Sequence, residues 1–388
     1  MPRFYTVILS ALVAIIPLAA TEVPDSVAPD SSAVTEVKKK NIINKIIDYF
    51  DSTNKESDPS KFDFSVIGGP HYSSDTKFGI GLVAAGQYRN DTVNLELPPS
   101  DVSLYLDATT SMFFKIGVSG NNIFKNDRSR LQYDVNVSQV TTKFWGIGYD
   151  MDVDDANESK YKYVGSQATV SYVWRVAPNL YIGPEAALNF INARERTKPE
   201  LWEGQNHATF NLGVGFTLQY DTRDCITCAW HGALVRLDQM FLPRAMFNKS
   251  AFSMTELRAD YFHPLWHDAT IAYEFHTRLT YGNTPWSMLG TLGGSHNMRG
   301  YFEGRYRDKC EADVCVELRQ HIWHRNGIVA WVGAGTVFPK FSALRFSKIL
   351  PNYGIGYRWE FKKRVNVRLD LGFGRHQTGF IFSINEAF

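Results

Sequence analysis

The sequence predicts an all-β protein: a transmembrane antiparallel β-barrel of about sixteen strands, preceded by a short amphipathic helix. Three observations lead there. From Phe62 to Phe388 the side chains alternate with a period of two, the repeat of a strand rather than a helix. The alternating runs are about ten residues long, the length a tilted strand needs to cross a bilayer. Beyond the first residues no stretch is long and apolar enough for a spanning helix. A closed barrel is the other structure that satisfies every backbone polar group in lipid.

The chain begins "MPRFYTVILSALVAIIPLAATEVPDS". Arg3 supplies a basic start, Tyr5 to Ile16 is apolar, Pro17 breaks the run, and small residues follow. Residues 1–20 therefore predict a secretory signal peptide. Residues 21–38 are rich in Pro, Ser and acids and predict a flexible linker. Ile42, Ile43, Ile46, Ile47 and Phe50 fall at helical spacing and predict an amphipathic helix over 39–52. Linker and helix together make a leader over 21–62, ahead of a barrel domain over 63–388.

The barrel domain alternates cleanly. In 210–220, Phe210, Leu212, Val214, Phe216, Leu218 and Tyr220 oppose Asn211, Gly213, Gly215, Thr217 and Gln219. In 271–281, Ile271, Tyr273, Phe275 and Leu279 oppose Ala272, Glu274, His276 and Arg278. In 353–361, Tyr353, Ile355, Tyr357, Trp359 and Phe361 oppose Gly354, Gly356, Arg358 and Glu360. In 365–373, Val365, Val367, Leu369, Leu371 and Phe373 oppose Asn366, Arg368, Asp370 and Gly372. The apolar face is rich in aromatics, as at membrane interfaces, and the polar face carries both signs of charge, which suits a wet lumen.

The runs fall at 63–70, 78–89, 101–109, 112–120, 130–140, 143–150, 161–174, 180–193, 207–221, 231–242, 252–264, 268–282, 313–323, 327–338, 352–361, 365–374 and 378–388. Single-chain bacterial barrels have an even number of strands. One of the runs in the N-terminal half is therefore expected to merge with a neighbour or lie off the barrel.

With 41 basic and 40 acidic residues, the chain lacks the basic field of a nucleic-acid binder. Cys225 and Cys228 form one close pair, Cys310 and Cys315 another. After export, two local disulfides or free thiols fit better than zinc or redox chemistry, because no second ligand pair or βαβ context accompanies the Cys-x-x-Cys. Cys310 and Cys315 are expected to bond to each other, across a bend at Glu311–Ala312. His276, His321 and His376 are tied to no nucleophile, so no enzyme is expected, nor any metal or cofactor.

The C-terminal half carries motifs that resemble those of the BamA/TamA surface-antigen superfamily. "LGGSHNMRGY" resembles the tip of that family's long loop, which folds back into the barrel; here the motif residues are Gly293, Gly294, Arg299, Gly300 and Tyr301. "DTRD", with Asp221, Arg223 and Asp224, resembles its short periplasmic turn. "GFIFSINEAF" resembles its terminal strand, with Phe380, Phe382, Ile384 and Phe388 as the assembly signal. The resemblance implies that Arg299 is paired with lumenal acids, and strand alternation offers Glu360 and Asp370. Glycines 354, 356, 372 and 374 would leave room for the loop. About forty residues separate the expected signal from the first strand, too few for one of the periplasmic POTRA domains that usually precede such barrels, so a POTRA-less member is expected.

The resemblance further implies residence in the outer membrane of a Gram-negative bacterium, with lipid around the barrel. It implies a role in protein insertion, translocation or envelope biogenesis alongside other outer-membrane or periplasmic assembly proteins. The alternative is a passive channel or structural barrel without insertase activity.

Overall fold

The computed structural model describes residues 63–73, 77–91, 97, 99–226, 228–362 and 364–388. The expected signal peptide, linker and amphipathic helix lie outside the described residues.

The strands are β1 (Asp63–Ser73), β2 (Lys77–Tyr88), β3 (Ser100–Thr109), β4 (Phe114–Ile123), β5 (Ser129–Phe144), β6 (Ser159–Ala177), β7 (Leu180–Arg194), β8 (Ala208–Asp221), β9 (Gly232–Leu242), β10 (Phe252–Pro264), β11 (Ala269–Gly282), β12 (Gly290–Thr291), β13 (Arg307–Asp308), β14 (Cys310–Trp323), β15 (Asn326–Phe338), β16 (Leu350–Lys362), β17 (Val365–Gly374) and β18 (Gln377–Ile384). Sixteen of them form one antiparallel sheet, each strand beside its neighbour in sequence; β12 and β13 form a small ribbon of their own inside the β11–β14 loop. Among the described residues no helix is long and apolar enough to cross a membrane.

The period-two pattern sets which way each side chain points. On β11, Ala272 and Glu274 are buried on the inner face, while Tyr273 and Phe275 are exposed outside. On β16, Tyr353, Ile355 and Tyr357 face outward. On β8, Phe210, Val214, Phe216 and Tyr220 do the same. Large apolar residues are thus exposed strand after strand, while buried charges line the interior. That inverts a water-soluble sandwich and fits a wall that meets lipid.

Two sequence expectations need correction. The run 143–150 is not a strand. Its first two residues end β5, and then Gly146 and Gly148 take φ of 114° and 97°, in the left-handed region that breaks a pleat. A helical turn, Tyr149–Asp152, follows. Removing this run from the seventeen leaves the sixteen of the sheet. The terminal strand also stops early. Ile384 is its last residue, and residues 385–388 turn inward instead of continuing the outward face of Phe380.

The interior is filled near the loop end by aromatic packing. Phe144, Tyr161, Trp202 and Trp286 form one cluster, with Phe144 stacked on Trp202 at 4.2 Å between ring centroids. Such pairs contribute about 0.5–1.5 kcal/mol beyond their area burial. Tyr149, Leu292, Met298, Tyr301, Tyr306, Val337 and Leu350 form a second cluster, which seats the β11–β14 loop.

Candidate functional site

The β11–β14 loop enters the lumen and Arg299 is its most deeply buried charge. Gly300 follows with φ of 113°, a conformation that L side chains rarely adopt. The loop backbone also runs against β17: a Cβ on Gly300 would lie 2.6 Å from the Gly372 carbonyl carbon, and one on Gly372 would strike the Arg299 carbonyl. Gly374 makes room for the Tyr301 ring at the next level. Glycines 354 and 356 serve the wall instead, leaving space for Trp331 and Asp370.

Arg299 is 1% exposed. Its Nη1 donates to Asp370 Oδ2 at 2.8 Å and its Nη2 to Glu317 Oε2 at 2.5 Å. The guanidinium lies over the Trp331 ring, 3.8 Å from the centroid, and the Arg299 carbonyl accepts from Asn352. Asn352 in turn accepts from Trp331 Nε1 at 2.9 Å, which fixes that ring. A planar fork can hold two carboxylates and stack on an aromatic at once; an ammonium cannot.

The two carboxylates belong to a wider network. Arg358 donates to Asp370 Oδ1 at 2.5 Å and to Glu386 Oε2 at 2.7 Å. Arg319 donates to Glu317 Oε1 at 2.7 Å and to the Phe388 main-chain oxygen at 2.9 Å. Arg368, fully buried, stands 3.5 Å from Asp370. His296 on the loop meets the Ala387 carbonyl through Nδ1 at 2.8 Å, so that nitrogen carries the proton. Burial, then the nearby Arg368 charge, lowers this imidazole to about 4 and keeps it neutral. The inward tail is therefore tied both to the loop and to the wall. Phe388 itself is buried against Phe262, with the Arg319 guanidinium 5.1 Å from its ring centroid.

The structure joins the expected Arg299 to the expected Asp370 but not to Glu360. Glu360 shares the inner face but sits beside the β16–β17 turn, where it accepts from the Arg364 N–H at 2.9 Å. Its place is taken by Glu317 from β14. Alternation puts Glu317 on the lumenal face, but only the register of β14 against β15 brings it level with the loop tip.

Tyr301 donates to the Pro351 carbonyl at 2.6 Å and accepts from the Arg375 N–H at 2.7 Å, which anchors the loop above Arg299. Gly293 and Gly294 take φ of 101° and 102°, and the Gly294 N–H donates to the Tyr301 carbonyl at 3.2 Å, closing the loop's neck.

The Asp221-Thr-Arg-Asp224 turn lies at the other end. Asp221 accepts from Arg223 at 3.0 Å and Arg130 at 3.1 Å; Asp224 accepts from the Trp230 N–H at 2.9 Å and Arg364 at 2.5 Å. Burial raises the Asp224 carboxyl, but these donors outweigh it and hold the group below its usual range.

The cysteines form no disulfide. β14 runs from Cys310 to Trp323 without the bend that a Cys310–Cys315 bond requires. Five positions along a strand place the two thiols roughly 16 Å apart, on opposite faces, beyond the reach of a bond. Cys315 points to Arg299, its Sγ 3.9 Å from Nη2. Cys228 is buried with its Sγ 3.6 Å from Asn366 Nδ2, and Cys225 lies half-buried in the turn.

A family profile described as the Omp85 superfamily domain matches residues 103–388. The chain belongs to the Omp85 superfamily. Membership makes it a non-enzymatic outer-membrane β-barrel. Among solved structures, its fold is similar to BamA from Haemophilus ducreyi lacking POTRA domains 1–3, at 13% identity and a TM-score of 0.55, covering 84% of this chain and 70% of that one. It is similar to CdiB from Escherichia coli, at 10% identity and 0.54, covering 88% and 70%. It is also similar to CdiB from Acinetobacter baumannii, at 13% and 0.51, covering 84% of this chain but only 59% of the length of that one. No curated protein matches the sequence. At these identities the likeness is one of fold, and the profile match is what makes this an Omp85 barrel.

Proposed function

We propose that this Omp85 barrel works in the outer membrane of a Gram-negative bacterium to insert or translocate polypeptides, alongside other outer-membrane or periplasmic assembly proteins. The observation that carries the reading is the junction of the first and last strands. β1 pairs with β2 along its whole length, from Asp63↔Gln87 to Ser73↔Lys77. Against β18, among the described residues, it shares one register pair, Ser73↔Ile381. An edge held so weakly can pair with an incoming strand, which is the physics of β-augmentation.

The loop supports the same reading. A Cβ on Gly379 of β18 would lie 3.0 Å from Gly300 Cα, so the loop tip rests on the last strand. The tail after β18 is held by His296 of the loop and Arg358 of the wall. Movement of the loop would therefore reach the junction directly.

A disulfide across the junction tests this. Ser73→Cys with Ile381→Cys, oxidised in the assembled barrel, is expected to abolish insertion of a reporter barrel into vesicles, and reductant is expected to restore it. Equal insertion by the oxidised and reduced forms would overturn the reading. A passive barrel would remain, to be measured by planar-bilayer conductance.

A further inference from the structure

We propose that the lumenal wall of β10, β11 and β14 holds a divalent cation of the zinc class, bound by His276 Nδ1, Glu311 and Asp313. These three residues bring one ligand atom each within 4.8 Å of one another. His276 Nδ1 lies 2.9 Å from Glu311 Oε1 and 3.3 Å from Asp313 Oδ2. Two ligands held at about 2.1 Å from a tetrahedral ion stand about 3.4 Å apart, so these separations are near those of an occupied site.

Hydrogen bonding alone does not satisfy the cluster. His276 also meets Glu256 Oε1 through Nε2, at 3.1 Å. Three carboxylates thus surround a ring with at most two N–H groups, and two of them converge on a single nitrogen. The second oxygen of Glu311, a residue 2% exposed, has no hydrogen-bond partner. A cation in place of the Nδ1 proton bonds the nitrogen and both oxygens at once.

The surrounding charge points the same way. Five lumenal carboxylates gather here: Glu256, Asp260, Glu274, Glu311 and Asp313. Two arginines face them, with Arg278 at 2.6 Å from Glu256 and Arg258 at 2.9 Å from Asp260 and 3.8 Å from Glu274. Asp260 and Glu274 each retain a buried oxygen without a partner. The five carboxylates outnumber the two arginines that pair with them directly, and unpaired buried charge is costly. A divalent ion bound here would offset two of these carboxylate charges.

The geometry is rigid and braced. His276 and Asp313 are directly opposite in the β11–β14 register, and Glu311 is diagonal to them. Glu256 accepting Nε2–H gives the carboxylate–histidine–metal arrangement that orients a ligating imidazole. Arg278 clamps Glu256 with two donors, Nε at 3.0 Å and Nη2 at 2.6 Å. The donor set, one imidazole and two carboxylates, suits zinc and leaves a fourth position for water. Asn297 of the arginine loop donates to Asp313 Oδ2 at 3.2 Å, so the ion would lie directly beneath the loop.

The experiment uses the full chain purified in detergent, stripped with EDTA and titrated with zinc chloride near neutral pH. One zinc per chain is expected, and saturation should protect the 293–309 segment from protease. His276→Ala and Asp313→Asn should abolish saturable binding while heat-modifiable migration reports an intact barrel. Glu256→Gln keeps all three ligands and should weaken binding by about 10–100-fold. It carries the test should the ligand variants fail to assemble. Cobalt in place of zinc should give a spectrum without a thiolate charge-transfer band. No zinc uptake, full-affinity binding in His276→Ala or Glu256→Gln, or a thiolate band placing the ion at Cys225 and Cys228 would each overturn the proposal.

Discussion

At the residue scale Arg299 is a buried latch. Removing it takes one arginine from both Asp370 and Glu317, which keep Arg358 and Arg319, so the cost falls below the about 3–5 kcal/mol of a buried pair broken outright. Arg299→Ala is therefore expected to free the loop, seen as new protease cleavage between Gly293 and Lys309 with the barrel still formed. Arg299→Lys should rescue only part, because lysine cannot span both carboxylates and stack on Trp331. Asp370→Asn combined with Arg299→Ala should be less than additive, since the two remove one interaction; simple addition would show that no latch exists. A second prediction concerns pH. His296 is lowered to about 4 from an ordinary 6.5, among the charges of Arg368, Arg258 and Arg299. A depressed pKa stabilises the docked loop above the unfolded value and loses that contribution as pH falls from about 6.5 to 4. Protease sensitivity of the loop should rise over that window in wild type and rise less in His296→Gln. The sequence disclosed Arg299 through its motif and Asp370 through alternation. It concealed Glu317, Trp331 and His296, because a partner across the lumen depends on strand register and loop depth, which no local pattern encodes.

At the element scale the period of two carried almost the whole sheet. It failed where its physical premise failed. At 143–150 glycines 146 and 148 leave the extended region while their neighbours still alternate. At 385–388 the chain keeps an aromatic end but turns inward, because Glu386 and Phe388 find charge and packing in the lumen that the outer face does not offer. The tail is accordingly predicted to be docked, not merely terminal. Phe388→Ala removes a ring that is 8% exposed, and comparable core truncations cost about 3–5 kcal/mol. Hydrogen exchange at Asn385–Phe388 and along β18 should accelerate, while β5–β8 remain protected. Unchanged exchange at the tail would mean that Arg358 and His296 hold it without the ring. Gly372→Val tests the loop's seat from the other side: the added side chain meets the Arg299 carbonyl, so the variant should expel the loop as Arg299→Ala does.

At the scale of the whole molecule the decisive feature is where the apolar surface lies. Ile355 is 61% exposed and Val332 62% exposed, both mid-strand on the outer face. In water such positions are nearly indifferent to substitution, within about 0.5 kcal/mol. In a bilayer they are not: an arginine on the lipid face costs about 2–4 kcal/mol at the midplane and about 0–1 kcal/mol near the interfaces. Trp323, 66% exposed, ends β14 at a turn and so belongs to an interface. An arginine introduced at these two similarly exposed sites thus separates lipid from water as the surrounding medium. Ile355→Arg is expected to lower folding stability in lipid vesicles by about 2–4 kcal/mol, and Trp323→Arg by about 1 kcal/mol or less. Reversible denaturation in vesicles measures both. Equal, small effects at the two positions would mean that the outer face never meets hydrocarbon. The depth-dependent difference would follow from the alternation that sends Ile355 outward while its β16 neighbour Arg358 turns in to meet Asp370 and Glu386.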